Sequence, residues 1–386
     1  MKIFGTSTLL LLVWAWGAQA QTPPAPQLPA SALSVEESTL LTQGWAFLAQ
    51  GDLVRAVEKA SAAMAISPRS QAALALAIEV EIARGGHASA LRFYDQWLRG
   101  RALEEPAVLR RIARALLQEI GAQPQNPSAQ AEALALLTKD GDQKATDVLR
   151  EIAAGGGRPA RLKLVELGDA ESLFLLQAEV SGAQTPSAAA VRTLSSSRNP
   201  LIGPELVRLL AHVRPDLRAD AAAGLAGLGD PSYARQIQPL LNDQTAYVRF
   251  AAGAALLRLG DRSGLPVVQA AAKSDSPEER LAAGAALVHW PGADWQAIVA
   301  PLAESDNALV RIEALKLLAE NGANPGTSGL EVALLDSRPG VRDAAYSVWA
   351  VLAHTLDDIS RAKRLLGAPD RSAQLSAAAA ILKITR

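Results

Sequence analysis

Residues 247–266 read YVRFAAGAALLRLGDRSGLP, and the chain returns to this pattern repeatedly. Two slots further on, residues 309–328 read LVRIEALKLLAENGANPGTS. Arg218, Arg249, Arg280, Arg311 and Arg342 are spaced 31 residues apart, and four of the five follow Leu or Val. Gly229-Asp230 and Gly260-Asp261 keep the same interval, with Gly292 near the next slot. Asp243, Asp275, Asp306 and Asp336 precede their arginines by five or six positions. The frame extends back through Asn199 to Gly168-Asp169. Forward, it reaches DRSAQLSAAAAILKI (370–384), expected as a final hairpin without the arginine.

Each unit parses as two helices. Val248, Ala252, Ala255, Leu256 and Leu259 fall on one helical stripe, Gly260-Asp261 breaks the helix, and Leu265 to Ala272 forms a shorter second one. In the following unit, Ser276-Pro277-Glu278-Glu279 supplies an N-cap, a first-turn proline and a capping acid in order. A hairpin this small cannot bury its apolar face alone and must stack on its neighbours. The expectation is an all-α fold, a right-handed α-α superhelix of helical hairpins with an extended concave surface.

Upstream the pattern changes. Ser34-Val35-Glu36-Glu37 reads as a capping box, with Ser34 accepting from the Glu37 amide and the Glu37 carboxylate reaching back. Gly44, Gly51-Asp52, Ala56, Ala63 and Pro68 follow at spacings that resemble a tetratricopeptide repeat, in which small residues let two antiparallel helices touch. A second, degenerate hairpin covers 71–100 with Gly85-Gly86 at its turn, and PAVLRRIARALLQEI predicts one more helix before the break GAQPQNP. The organisation is then a leader over 1–20, a proline-rich tether over 21–33, tetratricopeptide-like hairpins over 34–120, a linker over 121–127 and a solenoid over 128–386.

The Val-Arg, paired alanines, Leu-Gly-Asp and second Leu-rich helix of residues 247–269 resemble HEAT repeats, especially the short kind named after phycobilisome lyases. That resemblance implies a ladder in which each arginine meets an aspartate of its own or the adjacent repeat, making Arg218, Arg249, Arg280, Arg311, Arg342, Asp230 and Asp261 structural. It also points to HEAT-based enzymes, a bilin lyase or an iron oxidoreductase of the deoxyhypusine hydroxylase type. The latter relies on recurring His-Glu pairs, whereas His87, His212, His289 and His354 are followed here by Ala, Val, Trp and Thr.

The first twenty residues, MKIFGTSTLLLLVWAWGAQA, combine one lysine, a short apolar run and the small-residue site Ala18-Gln19-Ala20. They read as a secretory signal cleaved after Ala20. The apolar run is too short for the roughly 20 residues that span a bilayer, so no stable membrane insertion is expected after cleavage. Without cysteines, thiol catalysis, thiolate metal sites and disulfides are all excluded. Formal charge is -1, or -2 without Lys2, so no global field favours nucleic acid. Residues are 49% hydrophobic but only 4% aromatic, which suits Ala- and Leu-rich close-packed helices.

No nucleophile elbow, phosphate-cradling loop or zinc motif is present, and no cofactor or metal is expected. Candidate recognition residues are sought where the repeat is broken. VHWPGADWQ (288–296) replaces the usual turn with His289, Trp290 and Trp295, and Trp349 is the other large intruder. These read as local packing or as an aromatic patch facing a protein partner. The arginine-rich run 110–114 reads as a solvated face. The functional expectation is an exported, non-catalytic scaffold for protein–protein interaction, periplasmic or secreted, in a bacterial cell envelope.

Overall fold

The computed structural model describes residues 34–99, 103–183, 186–288, 290–323, 328–353 and 356–385. The leader, the tether, His289 and His354 lie outside them. Among the described residues all regular structure is helical, and no helix is long and apolar enough to cross a membrane. Two compact units divide after Ala115.

The first unit is built on α1 (Val35–Ala49), α2 (Leu53–Ile66) and α3 (Gln71–Leu98). Gly44 sits where α1 meets α3, and any side chain there would collide with Leu76. Ala56 and Ala63 are fully buried on α2. The chain breaks inside α3 at Gly86, whose φ of 69° favours glycine, and the second arm folds back so that Ser89 Oγ donates to Glu81 Oε2 at 2.5 Å. Ser34 Oγ accepts from the Glu37 amide at 3.1 Å, as a capping box requires. The reciprocal bond differs from expectation. The Glu37 carboxylate is buried and accepts from Ser67 Oγ at 2.7 Å, tying the start of α1 to the end of α2.

The next helix, α4 (Pro106–Gly121), contains the division between units. The expected linker 121–127 is the short turn after it. In the second unit α5 (Pro127–Lys139) packs on α6 (Gln143–Ala154) and α7 (Arg158–Glu166) on α8 (Ala170–Gly182), followed by α9 (Ala188–Ser196) and α10 (Gly203–Leu209). Then come α11 (Pro215–Leu228), on which α10 packs, and the short α12 (Ala234–Ile237), followed by α13 (Ala246–Arg258) packed on α14 (Leu265–Ala272) and α15 (Pro277–Leu287) on α16 (Trp295–Val299). After these α17 (Ala308–Glu320) packs on α18 (Ser328–Leu334), and α19 (Pro339–Leu352) and α20 (Leu356–Leu366) lead to the last helix. Residues 370–384, expected as a hairpin, form one helix, α21 (Arg371–Ile384). Pro239 and Pro301 lack the N–H a helix interior needs, and short 3-10 turns stand at both positions.

The predicted stripe of α13 is the observed core face. Val248, Ala252 and Leu256 are fully buried and Ala255 and Leu259 nearly so, within one core that runs from Val165 to Leu259. Small residues let the two helices of this repeat touch: a side chain at Gly264 would strike the Gly253 carbonyl. Each first helix packs on the next, from α5 through α7, α9, α11, α13, α15, α17 and α19 to α21. Helix α21 then packs back on α5, and Arg371 Nη2 donates to Gln123 Oε1 at 3.0 Å. The array, expected as a superhelix with an extended concave surface, thus has its last first-helix in contact with its first.

Candidate interaction surface

The arginine column has a geometry that a simple Arg–Asp ladder does not describe. Nη1 of Arg218 donates to the carbonyls of His212 (2.9 Å) and Val213 (3.1 Å), and Arg249 repeats this with Asp243 (2.7 Å) and Gln244 (3.1 Å). Arg280 takes Ser274 and Asp275 at 2.9 and 3.1 Å, Arg311 takes Ser305, and Arg342 takes Asp336 and Ser337 at 2.9 and 3.0 Å. Each guanidinium thus crosses to backbone carbonyls in the turn before its own helix, which supplies partners that a buried carbonyl requires.

The six-back position forms a column of its own: His212, Asp243, Ser274, Ser305 and Asp336, each 31 residues from the next. Their side chains share one task despite differing in type. Asp243 Oδ1, Ser274 Oγ, Ser305 Oγ and Asp336 Oδ1 accept the amide two residues on, at 2.9, 3.1, 3.2 and 2.9 Å, and His212 Nδ1 accepts from Arg214 at 3.1 Å. Asp275 and Asp306 stand one position late in this register. Asp230 and Asp261 do not join the arginines either. Asp230 accepts from the Ser232 amide at 2.9 Å, and Asp261 from the Ser263 amide and Gln238 Nε2, both at 2.9 Å, so both serve the start of the next turn.

Carboxylate pairing joins the rung at two places. Asp243 takes the Arg218 fork through two 2.8 Å bonds, with side chains 8% and 15% exposed, and Arg342 Nε lies 3.6 Å from Asp370 Oδ2. The Arg218 hydrogen bonds hold the Asp243 carboxyl below the usual carboxylate range. In the run 110–114, expected to be solvated, Arg111 instead grips Glu79 with its fork.

The aromatic candidates separate. Trp349 is 1% exposed and occupies the core column of Leu194, Leu225, Leu256, Leu287 and Leu318, all buried and all 31 apart. It is a core residue, so of the two expectations the packing one holds and the partner-facing one does not. Trp290 and Trp295 are half-buried and pack on Leu257, Val268, Ala283 and Leu287, with Trp295 also reaching Val299 and Leu302. They fill the space left where α15 ends early. Among the described residues no group of three His, Cys, Asp or Glu side chains is placed to hold a metal ion.

An apolar surface lies elsewhere. On α8, Leu173, Leu176 and Val180 are buried, which turns Phe174 and Leu175 outward, 68% and 41% exposed. Gln177, one turn on from Phe174, donates to the Leu201 carbonyl at 3.4 Å, and the Leu201 side chain is 74% exposed. The signal was present in the sequence as LFLL (173–176), since four consecutive apolar residues cannot all lie on one helix face.

The family described as HEAT repeats matches residues 203–288. A search of curated proteins finds no match. Among solved structures, human deoxyhypusine hydroxylase in complex with glycerol is similar over 72% of this chain and 97% of its own, at 18% identity and a TM-score of 0.33. Residues 203–288 therefore match HEAT repeats, within a chain whose described residues form helices and no strand.

Proposed function

We propose that the chain is an exported, non-catalytic scaffold that binds a protein partner in the bacterial cell envelope. The observation that supports this most is the exposed apolar set of Phe174, Leu175 and Leu201 beside a repeat frame whose recurring arginines are engaged by its own backbone carbonyls. Exposed apolar side chains grouped on neighbouring elements mark interaction surfaces more often than isolated ones do. The secretory pattern of residues 1–20 supports the compartment.

Crosslinking in intact cells, followed by purification of the full chain, tests the reading. One stoichiometric protein partner is expected, and the recovered chain should begin at Gln21 in the envelope fraction. Recovery of bound iron with no protein partner would overturn it in favour of an enzyme.

A further inference from the structure

The first unit holds an apolar groove of about 350 Å³ between α2 and the two arms of α3, walled by Val57, Met64, Val80, Phe93 and Trp97. Its volume lies in the lower part of the range typical of ligand sites. Trp97 is held in place by stacking on the buried Tyr94, with ring centroids 6.0 Å apart, and by donating its indole N–H to the Pro68 carbonyl at 3.2 Å. The acid in the wall, Glu81, is engaged by Arg84 at 2.9 Å and Ser89 at 2.5 Å. What remains is an aromatic-lined, largely apolar slot.

We infer that this groove is occupied by the chain's own proline-rich segment, TPPAPQLP (22–29). Three observations converge on that occupant. The segment enters at the correct end: Ser34 caps α1 beside Glu37, Glu37 holds Ser67, and neighbouring Pro68 holds Trp97 at the mouth of the groove. The reach suffices, because nine residues from Ala25 to Ser34 span about 28 Å when extended as a polyproline helix. The groove runs along α2 from Val57 to Met64, about 10 Å of helix, so roughly four such residues fill it. The chemistry also matches: residues 21–33 carry no charge, and a proline-rich strand suits an aromatic-lined groove because little freedom is lost on docking. Covalent attachment supplies an effective concentration on the order of millimolar, enough to fill a weak site.

The cysteine-free sequence allows a direct test. Ala25→Cys is combined in the full chain either with Gln96→Cys on the groove rim or with Gln43→Cys on the exposed face of α1, and disulfide formation is followed under mild oxidation. The Gln96 pair should close within one chain roughly ten-fold faster than the Gln43 pair. Ser61→Arg, an exposed position in the groove wall away from the core, should abolish that preference. Equal rates at Gln96 and Gln43 would overturn the inference, as would a preference that survives Ser61→Arg. Covalent dimers whose yield rises with protein concentration would assign the groove to a second copy's segment and overturn it equally. The inference does not depend on the partner surface at Phe174, and neither result bears on the other.

Discussion

Replacing Arg218 and Arg249 separately should not cost the same, although the sequence makes them equivalent. Arg249 donates to two carbonyls, and about 1 kcal/mol is expected from losing it, the net worth of ordinary hydrogen bonds at a half-exposed site. Arg218 makes the same two bonds and also a two-pronged pair with Asp243, whose side chain is only 8% exposed. Breaking a fully buried pair costs about 3–5 kcal/mol. Here the Thr245 amide still serves the Asp243 carboxylate and some solvent reaches the arginine, so about 2–3 kcal/mol is expected for Arg218→Ala. For a unit of this size each kcal/mol lowers Tm by about 2–4 °C. Arg218→Ala should therefore melt roughly 4–12 °C below wild type and Arg249→Ala roughly 2–4 °C below it. Urea titrations followed by circular dichroism, run as a double-mutant cycle with Asp243→Asn, measure the coupling. Equal losses for the two arginines, with no coupling between Arg218 and Asp243, would refute the assignment of a special rung.

Further outcomes follow from the same geometry. Because its folded carboxyl titrates below the ordinary range, Asp243 contributes stability that is present above the unfolded carboxylate pKa and lost as pH falls through the folded value. The stability gap between wild type and Asp243→Asn should accordingly be constant near pH 7 and shrink below about pH 4, as read from urea midpoints across pH. Trp349→Ala should cost about 3–5 kcal/mol in thermal or urea melts, and Trp349→Leu clearly less, since Leu fills this column in five other repeats. Gly264→Ala should cost about 1–3 kcal/mol by forcing α13 and α14 apart, and a melt unchanged from wild type would show that the contact is slack.

The repeat frame was legible because its period is carried by chemistry that does not tolerate exchange. The arginine fork spans a fixed distance to two carbonyls, and the Leu column fills a fixed volume. The same period places Trp349 in the core, since 349 lies 31 residues after Leu318, but a side chain so much larger than Leu hides that register. The six-back column was hidden for the opposite reason. Histidine, aspartate and serine perform one task there, accepting a nearby amide, and no single residue type marks the position. The spacing places Glu37 in a capping box and Arg111 on a solvated face, yet each bonds across to another helix, a choice set by tertiary packing that spacing does not encode. Closure of α21 on α5 depends on curvature accumulated over the whole array, and nothing within one repeat determines it.

The central claim is that recognition lies on the exposed apolar set at α8 and its neighbouring turn, with the repeated arginine rung serving only as frame. Partner capture in intact cells, compared between Phe174→Ser with Leu201→Ser and Arg249→Ala, tests it most directly. The account predicts that the double variant loses the partner while melting as wild type does, and that Arg249→Ala melts earlier yet still captures it. Capture retained by the double variant and lost in a folded Arg249→Ala protein would contradict it.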